Sequence, residues 1–180
     1  MYAHISCYKL IEKFIKYVTF GSKGVCPEMK HILAVDDEPE ILEVIEEILP
    51  DYQVQTAADF ETARKLLVTE NYDLVILDIM GVRGLDLLDI AVERNIPAMM
   101  LTAHALDPSH IMQSMLRGAS SFAAKEELPR LENLLEELFE LLEKGENTWA
   151  HSMKRLAPLL DSSFGPDWRD AYKDMGILEY

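Results

Sequence analysis

Five short apolar or alternating runs are spaced along the middle of the chain, and each one predicts a β-strand. Residues 32–35 and 74–77 are apolar at every position, and residues 96–101 and 120–124 are nearly so. Continuous apolar runs of this length are typical of strands buried on both faces of a parallel sheet. Residues 52–56 alternate instead, which indicates a strand nearer the edge.

Stretches with apolar residues at helical spacing follow each of these five runs. Local signals place their ends: Pro39 suits a first-turn position, Asp59 with Thr62 three residues later predicts an N-cap, and Gly118 and Gly145 predict helix ends. Strands that alternate with helices imply right-handed crossovers between parallel strands. The pattern therefore predicts an α/β fold with a doubly wound, five-stranded parallel sheet.

Polar side chains stand at the ends of four of the five predicted strands. Asp36 and Asp37 follow the first, Asp78 the third, Thr102 the fourth and Lys125 the fifth. The carboxyl ends of parallel strands share one edge of the sheet, so we expect these groups to converge. Each also has a purely structural explanation, because Asp78 and Thr102 could cap the elements beside them and Lys125 could be a solvated surface residue.

Three converging carboxylates predict a bound divalent cation, because like charges repel at close range. Mg²⁺ suits a site with few carboxylates that is completed by water and phosphate. Lys125 would supply a positive charge for an anion, and Thr102 a hydroxyl donor. This combination predicts phosphoryl transfer, with Asp78 as a nucleophile that forms an acyl phosphate.

Composition narrows the class of protein. The chain has 180 residues, of which 49% are hydrophobic and 27% charged, as in ordinary soluble globular proteins. Its net charge of −15 disfavours nucleic acid as a direct partner. Cys7 and Cys26 form no disulfide framework, so we expect a reducing, cytoplasmic location. No apolar run reaches the ~18 residues that a membrane span requires.

Four motifs together make residues from about 30 to 144 resemble the receiver domain of two-component response regulators. They are the acidic pair Asp36-Asp37, Leu-Asp78-Ile-Met, Met-Leu-Thr102-Ala-His and Gly118-Ala-Ser-Ser-Phe122-Ala-Ala-Lys125. Each motif alone is weak, but all four occur in order at the family's spacings. The resemblance implies a flavodoxin-like sheet with strand order 2-1-3-4-5.

The resemblance also implies a role for each of these residues. Asp78 would accept a phosphoryl group from a histidine kinase or a phosphotransfer protein, assisted by Lys125 and Thr102. Mg²⁺ would be held by side chains of the acidic cluster and one backbone carbonyl: Asp36, Asp37, Asp78 and the carbonyl of Met80. Thr102 and Phe122 occupy the family's switch positions, although Phe122 could equally be a core aromatic. Met80 and His104 match positions that tune phosphate lifetime.

Two features depart from the family pattern. The loop after Asp78, with Gly81 and Gly84, is shorter than usual and contains no proline. Glu126 follows Lys125 where the family commonly has a proline, so we expect a trans peptide bond there.

We divide the chain into an N-terminal extension at 1–28, a receiver domain at 29–144 and a helical C-terminal extension at 145–180. Residues 1–28 are interpreted either as a dispensable leader or as the product of a translation start that was assigned too far upstream. In the tail, Asn147 or Thr148 can cap a helix whose apolar face carries Trp149, Met153, Leu156 and Leu160, and residues 162–165 predict a turn. His151 lies in a stretch that resembles a phosphohistidine motif, and a surface histidine is the simpler interpretation.

The sequence thus predicts a stand-alone receiver that catalyses only its own phosphorylation and dephosphorylation. We expect it to signal to a downstream protein through its fourth helix, fifth strand and fifth helix, and a homodimer could use that face or the C-terminal helices. One alternative is a scaffold of the same fold that does not cycle phosphate. Another is a Mg²⁺-dependent hydrolase of the haloacid dehalogenase type, although Asp36 and Asp37 are adjacent where that class has Asp-x-Asp.

Overall fold

The computed structural model describes residues 29–102, 108–165, 167 and 169. Strands and helices alternate as predicted, and a 3₁₀ helix, Lys125–Arg130, follows the last strand. The strands are β1 (His31–Val35), β2 (Gln53–Ala57), β3 (Leu74–Asp78), β4 (Ala98–Thr102) and β5 (Ser121–Ala124). The helices are α1 (Pro39–Ile48), α2 (Phe60–Thr69), α3 (Gly84–Glu93), α4 (Pro108–Leu116), α5 (Leu131–Lys144) and α6 (Thr148–Phe164).

The five strands form one parallel sheet in the order β2-β1-β3-β4-β5, which confirms the predicted topology. In the pairing register, Asp78 lies opposite Leu101, and Thr102 lies opposite Ala124. The last residues of neighbouring strands therefore meet at one edge of the sheet, where the chain leaves each strand.

Helices cover both faces of the sheet and divide the core into two layers. Helices α1 and α5 bury one apolar cluster, in which Ile45 and Leu135 pack against alternate strand residues. Helices α2, α3 and α4 bury the other, in which Leu67 and Leu88 contribute. Every residue of β3 and β4 is buried, which explains why their sequences are apolar up to the last residue, Asp78 and Thr102 respectively.

Three residues that were predicted to begin or end helices do so in the structure. The Asp59 side chain accepts the Thr62 backbone N–H at 2.9 Å, and Asn147 caps α6 by accepting from Trp149 and Ala150. Gly145 ends α5 with a φ of +67°, a conformation that glycine adopts at little cost.

The predicted turn at residues 162–165 is wrong, because α6 continues through Phe164. The Ser162 hydroxyl donates to the Leu159 carbonyl within the helix, so this residue is satisfied without leaving it. The helix ends at Gly165, whose φ is +72°. His104 and the predicted extension at 1–28 lie outside the described residues. Within the part of the chain that is described, no helix is both long and apolar enough to cross a bilayer.

Candidate functional site

The carboxyl edge of the sheet brings together Asp36, Asp37 and Asp78. One carboxylate oxygen from each residue lies within 4.8 Å of those of the other two. Asp36 and Asp78 are 1% and 4% exposed, whereas Asp37 faces solvent. Two buried carboxylates and one exposed carboxylate thus form a cluster that is open to solvent on one side.

Lys125 inserts its ammonium group into this cluster. Its Nζ atom lies 2.7 Å from Asp36 Oδ2, 2.7 Å from Glu38 Oε1 and 3.3 Å from Asp78 Oδ1. The sequence indicated Lys125 but not Glu38, although Glu38 follows the acidic pair directly. Because Lys125 comes from the end of β5 and Glu38 from the start of α1, only the folded chain reveals their contact.

Proton affinities in the cluster follow from burial and from these ion pairs. Burial raises the pKa of Asp36 despite the opposing effect of Lys125. Burial alone would lower the pKa of Lys125, but Asp36, Glu38 and Asp78 together raise it, so the ammonium stays protonated. The hydrogen bond from Lys125 lowers the pKa of the exposed Glu38 carboxyl.

The two oxygens of Asp78 have different surroundings. Oδ2 accepts the backbone N–H groups of Met80 at 2.9 Å and Gly81 at 3.0 Å. Oδ1 faces Lys125. The carboxylate is therefore held in a fixed orientation by backbone on one side and a cation on the other. The Met80 side chain is 68% exposed, and the metal-binding role of its carbonyl stays a prediction.

Glycines make the shortened loop after Asp78 possible. A Cβ atom on Gly81 would lie 1.9 Å from Asp37 Oδ1, and one on Gly84 would lie 1.9 Å from the Asp78 carbonyl oxygen. Between them, Arg83 adopts a left-handed conformation with φ of +56°, and its guanidinium stacks 4.0 Å from the centre of the Phe60 ring. The loop therefore passes directly against two of the clustered aspartates.

The two predicted switch residues occupy different surroundings. Thr102 lies at the end of β4, 6% exposed, on the same edge of the sheet as Asp78. Phe122 is fully buried in β5, three residues before Lys125, in the apolar cluster that includes Met153 and Leu156 of α6. The Lys125–Glu126 peptide is trans, as the sequence predicted.

The acidic cluster has the donor set that Mg²⁺ requires. Asp36 Oδ2 is buried, and the Lys125 ammonium lies 2.7 Å from it. Carboxylate oxygens are the ligands that Mg²⁺ prefers, so a cluster of three aspartates suits this cation. Asp36, Asp37 and Asp78 could hold one, since all three offer an oxygen to a common point.

Known proteins share both the sequence pattern and the fold. A sequence profile of the response regulator receiver domain matches residues 32–138. The two-component response regulator ARR18 of Arabidopsis thaliana is 33% identical over 111 residues, which cover 58% of this chain and 17% of that protein. The probable transcriptional regulator ycf27 of Cyanidium caldarium is 40% identical over 78 residues, which cover 41% of this chain and 31% of that protein.

Solved structures of receiver domains are also similar to this chain. The receiver domain of NtrX from Brucella abortus is 32% identical, with a TM-score of 0.54, and the match covers 61% of this chain and 98% of that one. A CheY-like receiver domain protein from Methanospirillum hungatei is 27% identical, with a TM-score of 0.56, and covers 65% and 99%. The chain spans less than a third of the two curated relatives named above. The profile match, over more than half of the residues, places this chain in the response regulator receiver domain family.

Proposed function

We propose that the chain accepts a phosphoryl group on Asp78 from a histidine kinase or a phosphotransfer protein, in a Mg²⁺-dependent phosphorelay. The observation that carries the proposal is the convergence of Lys125, Asp36 and Asp78 at one edge of the sheet. Asp78 is held by backbone N–H groups on one oxygen and faces an ammonium with the other. Backbone N–H groups two and three residues further on also bind the side chain of a capping residue, so the ammonium beside the other oxygen is the feature that favours a nucleophile.

In the transfer step, one carboxylate oxygen of Asp78 attacks phosphorus, and a P–O bond forms while the P–N bond to the donor imidazole breaks. The imidazole leaves as a neutral ring after it takes a proton from solvent. Lys125 and the hydroxyl of Thr102 stabilise charge on the phosphoryl oxygens. A bound Mg²⁺, held by Asp36, Asp37, Asp78 and the Met80 carbonyl, would neutralise further negative charge.

The partners follow from charge and from the family. We propose that the described residues contact proteins rather than nucleic acid, because the chain carries a net charge of −15. The relatives named as regulators are much longer than the region that matches this chain. The receiver acts in the cytoplasm as a signalling domain whose only reaction is its own phosphorylation and dephosphorylation.

The test is mass spectrometry of the intact protein and its peptides after incubation with Mg²⁺ and acetyl phosphate. Acetyl phosphate replaces the kinase, since its P–O bond breaks and acetate leaves. We expect one phosphoryl adduct, located on Asp78, that disappears without Mg²⁺ and in Asp78→Asn.

The Asp89→Asn variant is the matched control, because Asp89 is an exposed aspartate of α3 that pairs with Arg117 and not with the loop after Asp78. It should be phosphorylated like the wild type. A folded wild-type protein that gains no adduct would refute the proposed reaction and favour a scaffold that does not cycle phosphate.

A further inference from the structure

Helix α6 packs along the outer edge of the sheet, beside β5. Its apolar residues Met153, Leu156 and Leu160 are fully or almost fully buried in the same cluster as Phe122. Ser152, one turn before Leu156, shares a 2.9 Å hydrogen bond with Ser121 of β5. The helix thus packs against β5 and α5, with its apolar side chains in the cluster around Phe122.

Two side chains of α6 satisfy the free backbone groups of this edge. The Trp149 indole N–H donates to the Ala119 carbonyl, and Arg155 Nη2 donates to the Phe122 carbonyl at 2.5 Å. Because β5 has no strand beyond it, the Phe122 carbonyl has no neighbour in the sheet, and Ala119 lies just before the strand. Helix α6 therefore covers the edge of β5 at which a further strand could otherwise pair.

Arg155 also links the helix to the candidate site. Its Nη1 atom donates to Glu127 Oε2, and the same oxygen accepts the backbone N–H of Ala124 at 3.2 Å. Ala124 is bonded to Lys125, whose ammonium lies in the acidic cluster. The Arg155 and Glu127 side chains are each only 16% exposed. An ion pair that is largely removed from water thus binds the backbone on both sides of Ala123, just before Lys125.

We propose that the outer edge of β5 is a helix-binding surface, that α6 is its ligand in cis, and that phosphorylation of Asp78 displaces α6. The inference rests on the proposed function. In this structure Lys125 lies closer to Asp36 and Glu38, at 2.7 Å from each, than to Asp78, at 3.3 Å. A phosphoryl group on Asp78 would attract the ammonium and shift the segment from Phe122 to Glu127, on which both Arg155 contacts depend. The surface that α6 leaves would then be open to a partner.

Hydrogen exchange measured on the full-length protein tests this coupling. Beryllofluoride with Mg²⁺ is the probe, because it mimics the phosphoryl group without turnover. We expect amide exchange in Thr148–Phe164 to rise roughly tenfold or more when the probe binds, and to stay unchanged in Asp78→Asn. Exchange in α6 that is unchanged or slower with the probe bound would overturn the inference.

Thermodynamic reciprocity provides a second measurement, the affinity for beryllofluoride. A purely structural role of Arg155 would not change this affinity. If the probe loosens α6, then loosening α6 must strengthen probe binding by the same factor. We expect Arg155→Ala to raise exchange of α6 without the probe and to bind beryllofluoride about tenfold more tightly by calorimetry. Lys154→Ala, which changes the exposed neighbour, should leave both quantities as in the wild type. Equal affinities in the two variants would contradict the coupling.

The two proposals can fail separately. If acetyl phosphate leaves no adduct on Asp78, the proposed function fails and the coupling fails with it. If the adduct forms while α6 stays protected, only the coupling is wrong.

Discussion

Gly81 is a residue at which a single methyl group would disturb the candidate metal site. Its N–H donates to Asp78, and a Cβ atom there would overlap the Asp37 carboxylate. The backbone of Gly81 lies outside the left-handed region, so an alanine would add bulk without backbone strain. The position therefore isolates the effect of moving Asp37.

We expect Gly81→Ala to weaken Mg²⁺ binding roughly tenfold, because Asp37 must turn away from the cluster. Calorimetric titration with Mg²⁺ measures this change. In an Asp37→Ala background, the same substitution should have little further effect, because the residue it displaces is gone. Additive losses in the double variant would show that Gly81 acts through something other than Asp37.

At the start of α3, Gly84 lies against the Asp78 carbonyl, where no side chain fits. We expect Gly84→Ala to lower the free energy of unfolding by about 3 kcal/mol, because backbone has to move on both sides of the contact. Urea unfolding is the measurement.

Gly145→Ala is the comparison for this prediction, because a Cβ atom there would meet nothing within 4 Å and only the positive φ is strained. We expect it to cost about 1 kcal/mol. Equal losses in the two variants would mean that the close approach to Asp78 is unimportant.

The start of α2 gives a pH-dependent prediction. The Thr62 backbone and hydroxyl bond to Asp59 and lower the pKa of its carboxyl below the ordinary value of 3.8. A lowered pKa contributes stability that is present above the unfolded value and is lost as pH falls through the folded value. An asparagine can accept the same N–H but does not titrate.

We therefore expect wild type to be more stable than Asp59→Asn at neutral pH, and the difference to begin to shrink near pH 3.8 and to vanish once pH is below the lowered pKa of the folded state. Unfolding by urea at a series of pH values measures the difference. A difference that stays constant across the series would contradict this assignment of the cap.

Element order and the converging charges could be predicted from the sequence, because apolar period and strand-end residues encode them locally, whereas the strand order followed from the resemblance to the receiver family. The docking of α6 could not. The spacing of Met153, Leu156 and Leu160 shows which face of the helix is apolar, but not which surface receives it. Glu38 was missed for a related reason, since its partner Lys125 lies 87 residues away in the chain.

At the scale of the whole molecule, the net charge of −15 makes the folded state repel itself. Two kinds of added salt should therefore behave differently. We expect Mg²⁺ to stabilise the protein in a saturable way, by about 2.7 kcal/mol at one hundred times its Kd. Potassium chloride should only screen charge and show no saturation.

Thermal unfolding at increasing concentrations of each salt, compared at equal ionic strength, measures this difference. In Asp37→Asn the saturable part should shrink, and the screening part should remain. Identical curves for the two salts in wild type would argue against a specific cation site.

The placement of α6 also bears on how the protein behaves when concentrated. An uncovered edge strand is a template on which another chain can add a strand, and such pairing leads to aggregation. With Trp149 and Arg155 in place, the β5 edge offers little to pair with. A state with α6 displaced would lose this protection, and then the shared negative charge would be the main force that keeps copies apart. Signalling through this edge would thus carry an aggregation hazard that increases with salt and protein concentration.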